Sequence, residues 1–318
     1  MGFNFGFIVA LLCLGVVGSC HASMPAELYW KSVFPNTPMP KSLQDLLGPV
    51  NKNHFVKLKD DIDKDANRKY KQGYQQPPST EFESADLEDS RNHDWKSGSH
   101  LTSSASIFFF ESDLHPGRLM KLLEFTRTEN EATFLPRAVA NSMPFSSNKF
   151  SDILKLFSME PKSAGSKLMK QNIEDCERES IEGEDKYCAT SLESLIDLSV
   201  SRLGKKIHVL STEVENKTKV EKFTIGKGMK NMGEKDIVCH KLRYPYAVFF
   251  CHSIDKTDVY EVPLIGSDGT KVKAIAVCHK DTSTWNPRHL AFQVLKVKPG
   301  SVPICHFLAK ETIAWIPN

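Results

Sequence analysis

The chain has 318 residues, 41 Lys and Arg against 39 Asp and Glu, a formal net charge of +2, and 40% hydrophobic residues. Such near-balance singles out no class of partner, and no basic stripe points to nucleic acid. After the first 22 residues no stretch is long and apolar enough to span a bilayer, so no transmembrane segment is expected in the mature protein.

Phe7 to Val17 is an unbroken apolar run of eleven residues, shorter than the roughly 20 needed to cross a membrane. It suits the apolar core of a secretory signal peptide. Cys20 and Ala22 supply small residues before a cleavage site, although the region ahead of the run lacks Lys and Arg. Removal of residues 1–22 leaves six of the eight Cys: Cys176, Cys188, Cys239, Cys251, Cys278 and Cys305. In the secretory route disulfides form and persist, so all six are disulfide candidates, but six thiols allow many pairings and the sequence does not choose among them. Asn216-Lys217-Thr218 is a glycosylation sequon, usable in that route.

Residues 23–50 form a short proline-containing segment with a helix expected over Ser42–Leu47. Residues 51–106 are nearly all polar and too poor in branched apolar residues to offset the entropy of ordering, so a disordered linker is expected there. A domain is expected over 107–318. It opens with a buried strand at Ile107–Phe110 and a turn at His115-Pro116-Gly117. Phe150, Ile153, Leu154 and Phe157 recur at helical spacing, with Ser147 or Ser151 as the expected cap. Met169, Ile173 and Cys176 repeat that spacing. In "TSLESLIDLSVSRLGKK" a third helix is expected, capped by Thr190 or Ser191 and ended by Gly204. A local Cys176–Cys188 disulfide is one pairing this spacing allows. Beyond Gly204 the pattern changes to short Val-, Ile- and Phe-rich runs, including "DIVCHKL", "YAVFFCHSI", "KVKAIAVCHK", "AFQVLKV" and "VPICHFL", all expected as strands, with a hairpin at "IGSDGTKV". Helices first and strands after predict an α+β domain, helices packed on a mostly antiparallel sheet or barrel and stabilised by disulfides.

Four Cys-His dipeptides mark the last quarter: Cys239-His240, Cys251-His252, Cys278-His279 and Cys305-His306, separated by ten, twenty-five and twenty-five residues. Each ends a strand-like run. Side chains on a strand alternate faces, so Cys and His of one dipeptide point opposite ways. If the four runs share one sheet or barrel in register, the Cys collect on one face and pair as two disulfides. The four His then collect on the other face and can converge on a metal. Structural disulfides alone would leave the adjacent His unexplained. A Cys-His nucleophilic dyad is disfavoured because the two side chains face apart and a disulfide sulfur is not a thiolate. A zinc Cys/His site needs reduced thiolates, which the compartment disfavours. Imidazole-rich sites suit Cu(II), Ni(II) or Zn, and copper is the first choice in an oxidising, oxygenated space.

With these dipeptides and spacings the chain resembles the plant BURP domain family. The likeness extends to "AELYWKSVFPNTPMPKSLQDLL" after the signal, "FFFESDLHPG" at the domain opening, "FLPRAVANSMPFSS" and "GEDKYCATSLESLID" in the helical part, and "RYPYAVFFCH" and the final "AWIP". The resemblance implies a plant protein sent through the ER to the cell wall or a vacuole, with roles in seed development or stress, and wall components as partners. Some members are copper-dependent autocatalytic peptide cyclases that crosslink a Tyr or Trp of their own chain. In them the Cys-His dipeptides are implied to form the copper site, a role that would fall here on His240, His252, His279 and His306. Were this chain a cyclase, Tyr70, Tyr74 and Trp95 of the polar segment would be its candidate crosslinked side chains. The segment has no repeated core, which favours a non-enzymatic copper-binding protein, with cyclisation of its own N-terminal peptide as the alternative.

Overall fold

The computed structural model describes residues 24–48, 108–122, 132–215 and 220–318. The expected signal peptide and linker, together with Asn216, Tyr70, Tyr74 and Trp95, lie outside the described residues. Two helices open the described chain, α1 (Ala26–Val33) and α2 (Lys41–Gln44), each entered from a proline. The second is shorter than the sequence suggested. Trp30 anchors this segment: its indole N–H donates to the Thr37 carbonyl at 2.9 Å, and its ring lies 5.0 Å from Phe34 and 5.9 Å from Trp315.

Strands β1 (Phe108–Phe110) and β2 (Leu119–Lys121) flank the expected turn, where Gly117 takes a φ of 89° that favours glycine. Three helices follow: α3 (Arg137–Ser142), α4 (Phe150–Leu156) and α5 (Ala164–Glu177). Neither Ser147 nor Ser151 caps α4. Ser147 instead starts a 3-10 turn running into the helix, Lys149 holds the cap position, and Ser151 lies inside the helix. β3 (Glu184–Ala189) was not foreseen. The next helix, α6 (Leu192–Leu203), matches expectation: Ser191 accepts from the Ser194 amide, Leu192, Leu195 and Ile196 are buried, and Gly204 ends it at φ 79°.

The remainder supplies β4 (Ile207–Ser211), β5 (Glu213–Val214), β6 (Lys222–Ile225), β7 (Lys230–Gly233), β8 (Ile237–Lys241) and β9 (Phe249–Ile254). After them come β10 (Thr257–Gly266), β11 (Lys271–His279), the short helix α7 (Leu290–Leu295), β12 (Ile304–Phe307) and β13 (Ile313–Pro317). The run "AFQVLKV", expected as a strand, is the helix α7. The His289 ring accepts the Ala291 amide at its start, and Ala291 and Phe292 pack with Trp285 and Phe108.

The architecture is α+β, with two antiparallel sheets instead of one. One sheet has the order β1-β12-β11-β10-β6-β2, with β5 beside β11 and β7 beside β10; the other runs β3-β9-β8-β13-β4. They meet face to face where Val238, Ala314 and Ile316 contact Val259, Ile275 and Val277. The outer face of the smaller sheet carries a core of Cys239, Cys251, Phe249 and Trp315, covered by α6 and by Trp30, Phe34 and Leu43 of the N-terminal segment. The outer face of the larger sheet carries Cys278, Cys305, Phe109, Phe223 and Phe307. Helices α3 to α5 pack on Tyr244, Tyr246 and Phe250. Among the described residues no helix is long and apolar enough to cross a membrane.

Two predictions follow from this packing. Trp30 is 2% exposed, so Trp30→Ala should cost about 3–5 kcal/mol, seen as a lower urea midpoint at unchanged slope. Asp236 is also buried, at 2% exposure. Burial, reinforced by nearby Asp258 and only partly offset by its own main-chain amide, raises its carboxyl to about 8. The unfolded carboxyl titrates near ~4. Between those values the folded chain holds the proton that the unfolded chain releases, so this group's contribution falls as pH rises from the unfolded to the folded value. Asp236→Asn should therefore gain stability over the parent by an amount that grows across that window, on the order of a few kcal/mol at its top, measured by urea unfolding at several pH values.

Candidate metal centre

The four Cys-His dipeptides occupy two adjacent strand pairs, one in each sheet. Cys239 lies directly opposite Cys251 in the β8–β9 ladder, and Cys278 directly opposite Cys305 in the β11–β12 ladder. Both pairs are disulfides, with Cα atoms 3.9 and 4.0 Å apart. A third bridge, Cys176–Cys188, ties α5 to β3. The single Cys face imagined from sequence is therefore split between the outer faces of two sheets.

The register that pairs the cysteines fixes the histidines. His240 lies opposite Phe250 and His252 opposite Val238, so the two imidazoles are diagonal neighbours on the inner face. Their Nε2 atoms are 3.2 Å apart. In the other sheet His279 lies opposite Ile304 and His306 opposite Val277, again a diagonal pair, with ring centroids 5.6 Å apart. Since the inner faces of the sheets meet, the two pairs lie near enough for a proton on His240 or His252 to disfavour one on His279.

Each ring is held at Nδ1 by an oxygen. Thr257, directly opposite His279 in the β10–β11 ladder, places its hydroxyl 3.0 Å from Nδ1. Thr312, just before β13, lies 3.5 Å from Nδ1 of His240, a long contact. Nδ1 of His306 is 3.3 Å from the Phe307 carbonyl, and Nδ1 of His252 is 3.3 Å from a Glu184 carboxylate oxygen. A carbonyl and a carboxylate only accept, so His306 and His252 carry their protons on Nδ1 and keep Nε2 bare. The short Nε2–Nε2 contact then needs a proton from His240 to avoid two opposed lone pairs, with the Thr312 hydroxyl donating to its Nδ1.

The electrostatics keep His240, His279 and His306 neutral. Burial, then the neighbouring His252 and His306, hold His240 well below the usual imidazole range. Burial and the other histidines, His306 foremost, do the same for His279. Burial lowers His306 to about 4, against the opposing pull of the Phe307 carbonyl. His252 and His279 are buried, whereas His240 and His306 retain some solvent contact, which tempers the burial effect on those two. Burial, the largest single influence, would raise the Glu184 carboxyl, but His252, Lys186 and the Ile181 main chain together outweigh it and the net shift is downward.

Sequence reasoning missed Glu184, Thr257 and Thr312, because their placement depends on strand register. It also missed His289, whose ring packs 4.7 Å from Trp285, itself 5.0 Å from His279. His289 accepts the Ala291 amide at Nδ1, which puts its proton on Nε2 and removes it from the donor set. Among the described residues no three His, Cys, Asp or Glu side chains already close around a point in a geometry that would hold a metal ion. The donor chemistry nevertheless fits one: four imidazoles with an oxygen near each Nδ1, in the manner of metal-ligating histidines.

Comparison with known proteins places this arrangement in context. The family model described as BURP domain matches residues 107–317. The chain is 49% identical over 223 residues to "BURP domain protein RD22" of Arabidopsis thaliana, covering 68% of this chain and 57% of that protein. It is 38% identical over 306 residues to "BURP domain-containing protein 5" of Oryza sativa subsp. japonica, covering 94% and 89%. It is 31% identical over 315 residues to "Embryonic abundant protein VF30.1" of Vicia faba, covering 98% and 94%.

The disulfides that set the register close loops of 12 and 27 residues. Their removal as Cys→Ala pairs should cost about 3 and about 3.5 kcal/mol respectively, on chain entropy. Guanidinium unfolding of the two double variants checks both the size and the order.

Proposed function

The chain belongs to the BURP domain family, and on that premise we propose that it is a secretory-pathway plant protein that binds copper and acts without turnover. His240, His252, His279 and His306 would hold the ion. The observation that carries this reading is a pair of cross-strand imidazoles on the inner face of each sheet, His240 with His252 and His279 with His306, each ring with an oxygen near Nδ1. A bound copper ion would supply one-electron redox chemistry at that position. The chain's own contribution is to orient the rings and restrict water around them.

Three disulfides suit an oxidising compartment, which supports passage through the ER to the wall or a vacuole. A role in seed development draws on relatives printed as "Embryonic abundant protein VF30.1" and "Unknown seed protein USP", both of Vicia faba. The stress role rests on the family resemblance. The alternative is copper-dependent crosslinking of Tyr70, Tyr74 or Trp95 by the same site.

Metal analysis and intact mass separate these readings. The purified full chain should bind Cu(II), and the variant with all four His changed to Ala should bind at least tenfold less on the scale of lost ligands. Its mass after incubation with Cu(II) in air should equal the mass without copper. Loss of two hydrogens mapped by fragmentation to residues 51–106 would replace the non-enzymatic reading with the cyclase. Equal copper binding by parent and variant would remove the four-histidine site.

A further inference from the structure

We infer that Glu184 is a positioning residue that orients His252 and biases the four-histidine site toward a divalent over a monovalent ion. The inference rests on the copper reading above and concerns a residue outside the Cys-His dipeptides.

Glu184 opens β3, the edge strand beside β9. In that ladder Lys186 lies opposite His252 and Glu184 opposite Ile254, so Glu184 shares the inner face with His252, one diagonal step away. Its Oε1 is 3.3 Å from Nδ1 of His252, with side chains 3% and 9% exposed. Neither of these two buried atoms makes a hydrogen bond of good geometry elsewhere or with the other, so each is the closest charge-bearing neighbour of the other at 3.3 Å. Taking a carboxylate out of water is costly unless positive charge or a strong donor compensates. Here the compensating group is the N–H of a ring whose other nitrogen faces His240 at 3.2 Å. Lys186 contributes some attraction, but its Nζ is directed to the Asp175 carbonyl at 3.1 Å.

The contrast with the other three rings gives the proposal its content. His240 and His279 meet hydroxyls, and His306 meets a carbonyl. Those partners orient a ring without adding net charge. Glu184 adds a full negative charge through His252, raising the basicity of Nε2 and favouring the ion of higher charge by Coulomb attraction at short range.

The test compares the full-length parent, Glu184→Gln and Glu184→Ala with all three disulfides intact. Cu(II) and Cu(I) affinities are measured by competition with chelators of known affinity, and the Cu(II) forms by electron paramagnetic resonance. Glu184→Gln keeps the shape and an acceptor oxygen but removes the charge, so it remains informative if Glu184→Ala does not fold. It should lose about 10–100-fold in Cu(II) affinity, while Cu(I) affinity changes by a clearly smaller factor and the copper hyperfine splitting shifts. Equal loss for both ions, or parent-like Cu(II) affinity with an unchanged spectrum, overturns the role of Glu184 and leaves the four-histidine reading standing. If the parent binds Cu(II) no better than the four-His→Ala variant, the copper reading fails first and this inference falls with it.

Discussion

Two cysteines placed directly opposite each other on neighbouring antiparallel strands are the constraint on which the site depends. In β8–β9 and again in β11–β12 the covalent bond joins true cross-strand partners. A one-residue slip would carry every side chain of a strand to the other face, and the bridge forbids that slip. Each histidine, one position beyond its cysteine, is therefore committed to the inner face. The dipeptide works as a unit: its sulfur sets the register, and its imidazole is what the register aims.

Face-to-face packing brings the two local pairs toward each other. The outer faces hold the disulfides among aromatic side chains, Trp315 and Phe249 on one sheet and Phe109 and Phe307 on the other. Between the sheets, Val238, Val259, Ile275, Val277, Ala314 and Ile316 form an apolar contact, and the histidines share those inner faces. A low-dielectric setting with like groups close together disfavours protonated rings, so His240, His279 and His306 are kept neutral by the packing that joins the sheets. Thr257 and Glu184 reach the rings because their strands run alongside those of the histidines, and Thr312 does so from the residue just before β13, whose first residue Ile313 lies opposite Cys239. One pattern of strand pairing thus supplies the rings, their orientation and their charge state.

Much of this was legible from alternation alone. The opposite facing of Cys and His follows from a period of two, and the helix of Leu192, Leu195 and Ile196 follows from apolar spacing and the Ser191 cap. The division into two sheets was not legible, since nothing in "VPICHFL" or "DIVCHKL" states which strand is its neighbour. β13 escaped notice because "AWIP" is short and ends in proline, yet it runs between β8 and β4 with Trp315 fully buried. "AFQVLKV" misled because a run of Val, Phe and Leu reads as strand, whereas the His289 cap and the burial of Ala291 and Phe292 on Trp285 make it a helix. Glu184 was hidden in an acidic stretch that reads as loop until β3 pairs with β9.

The most direct test of the account is pulsed electron paramagnetic resonance on the full chain loaded with one equivalent of Cu(II). Remote ring nitrogens of bound imidazoles modulate the echo, and their combination lines report how many rings share the ion. Histidines drawn from both sheets predict coupling to more than two imidazoles, reduced in steps by His240→Ala and by His279→Ala. A spectrum lacking imidazole modulation, or one unchanged by either substitution, would contradict a copper site built between the two disulfide-stapled strand pairs.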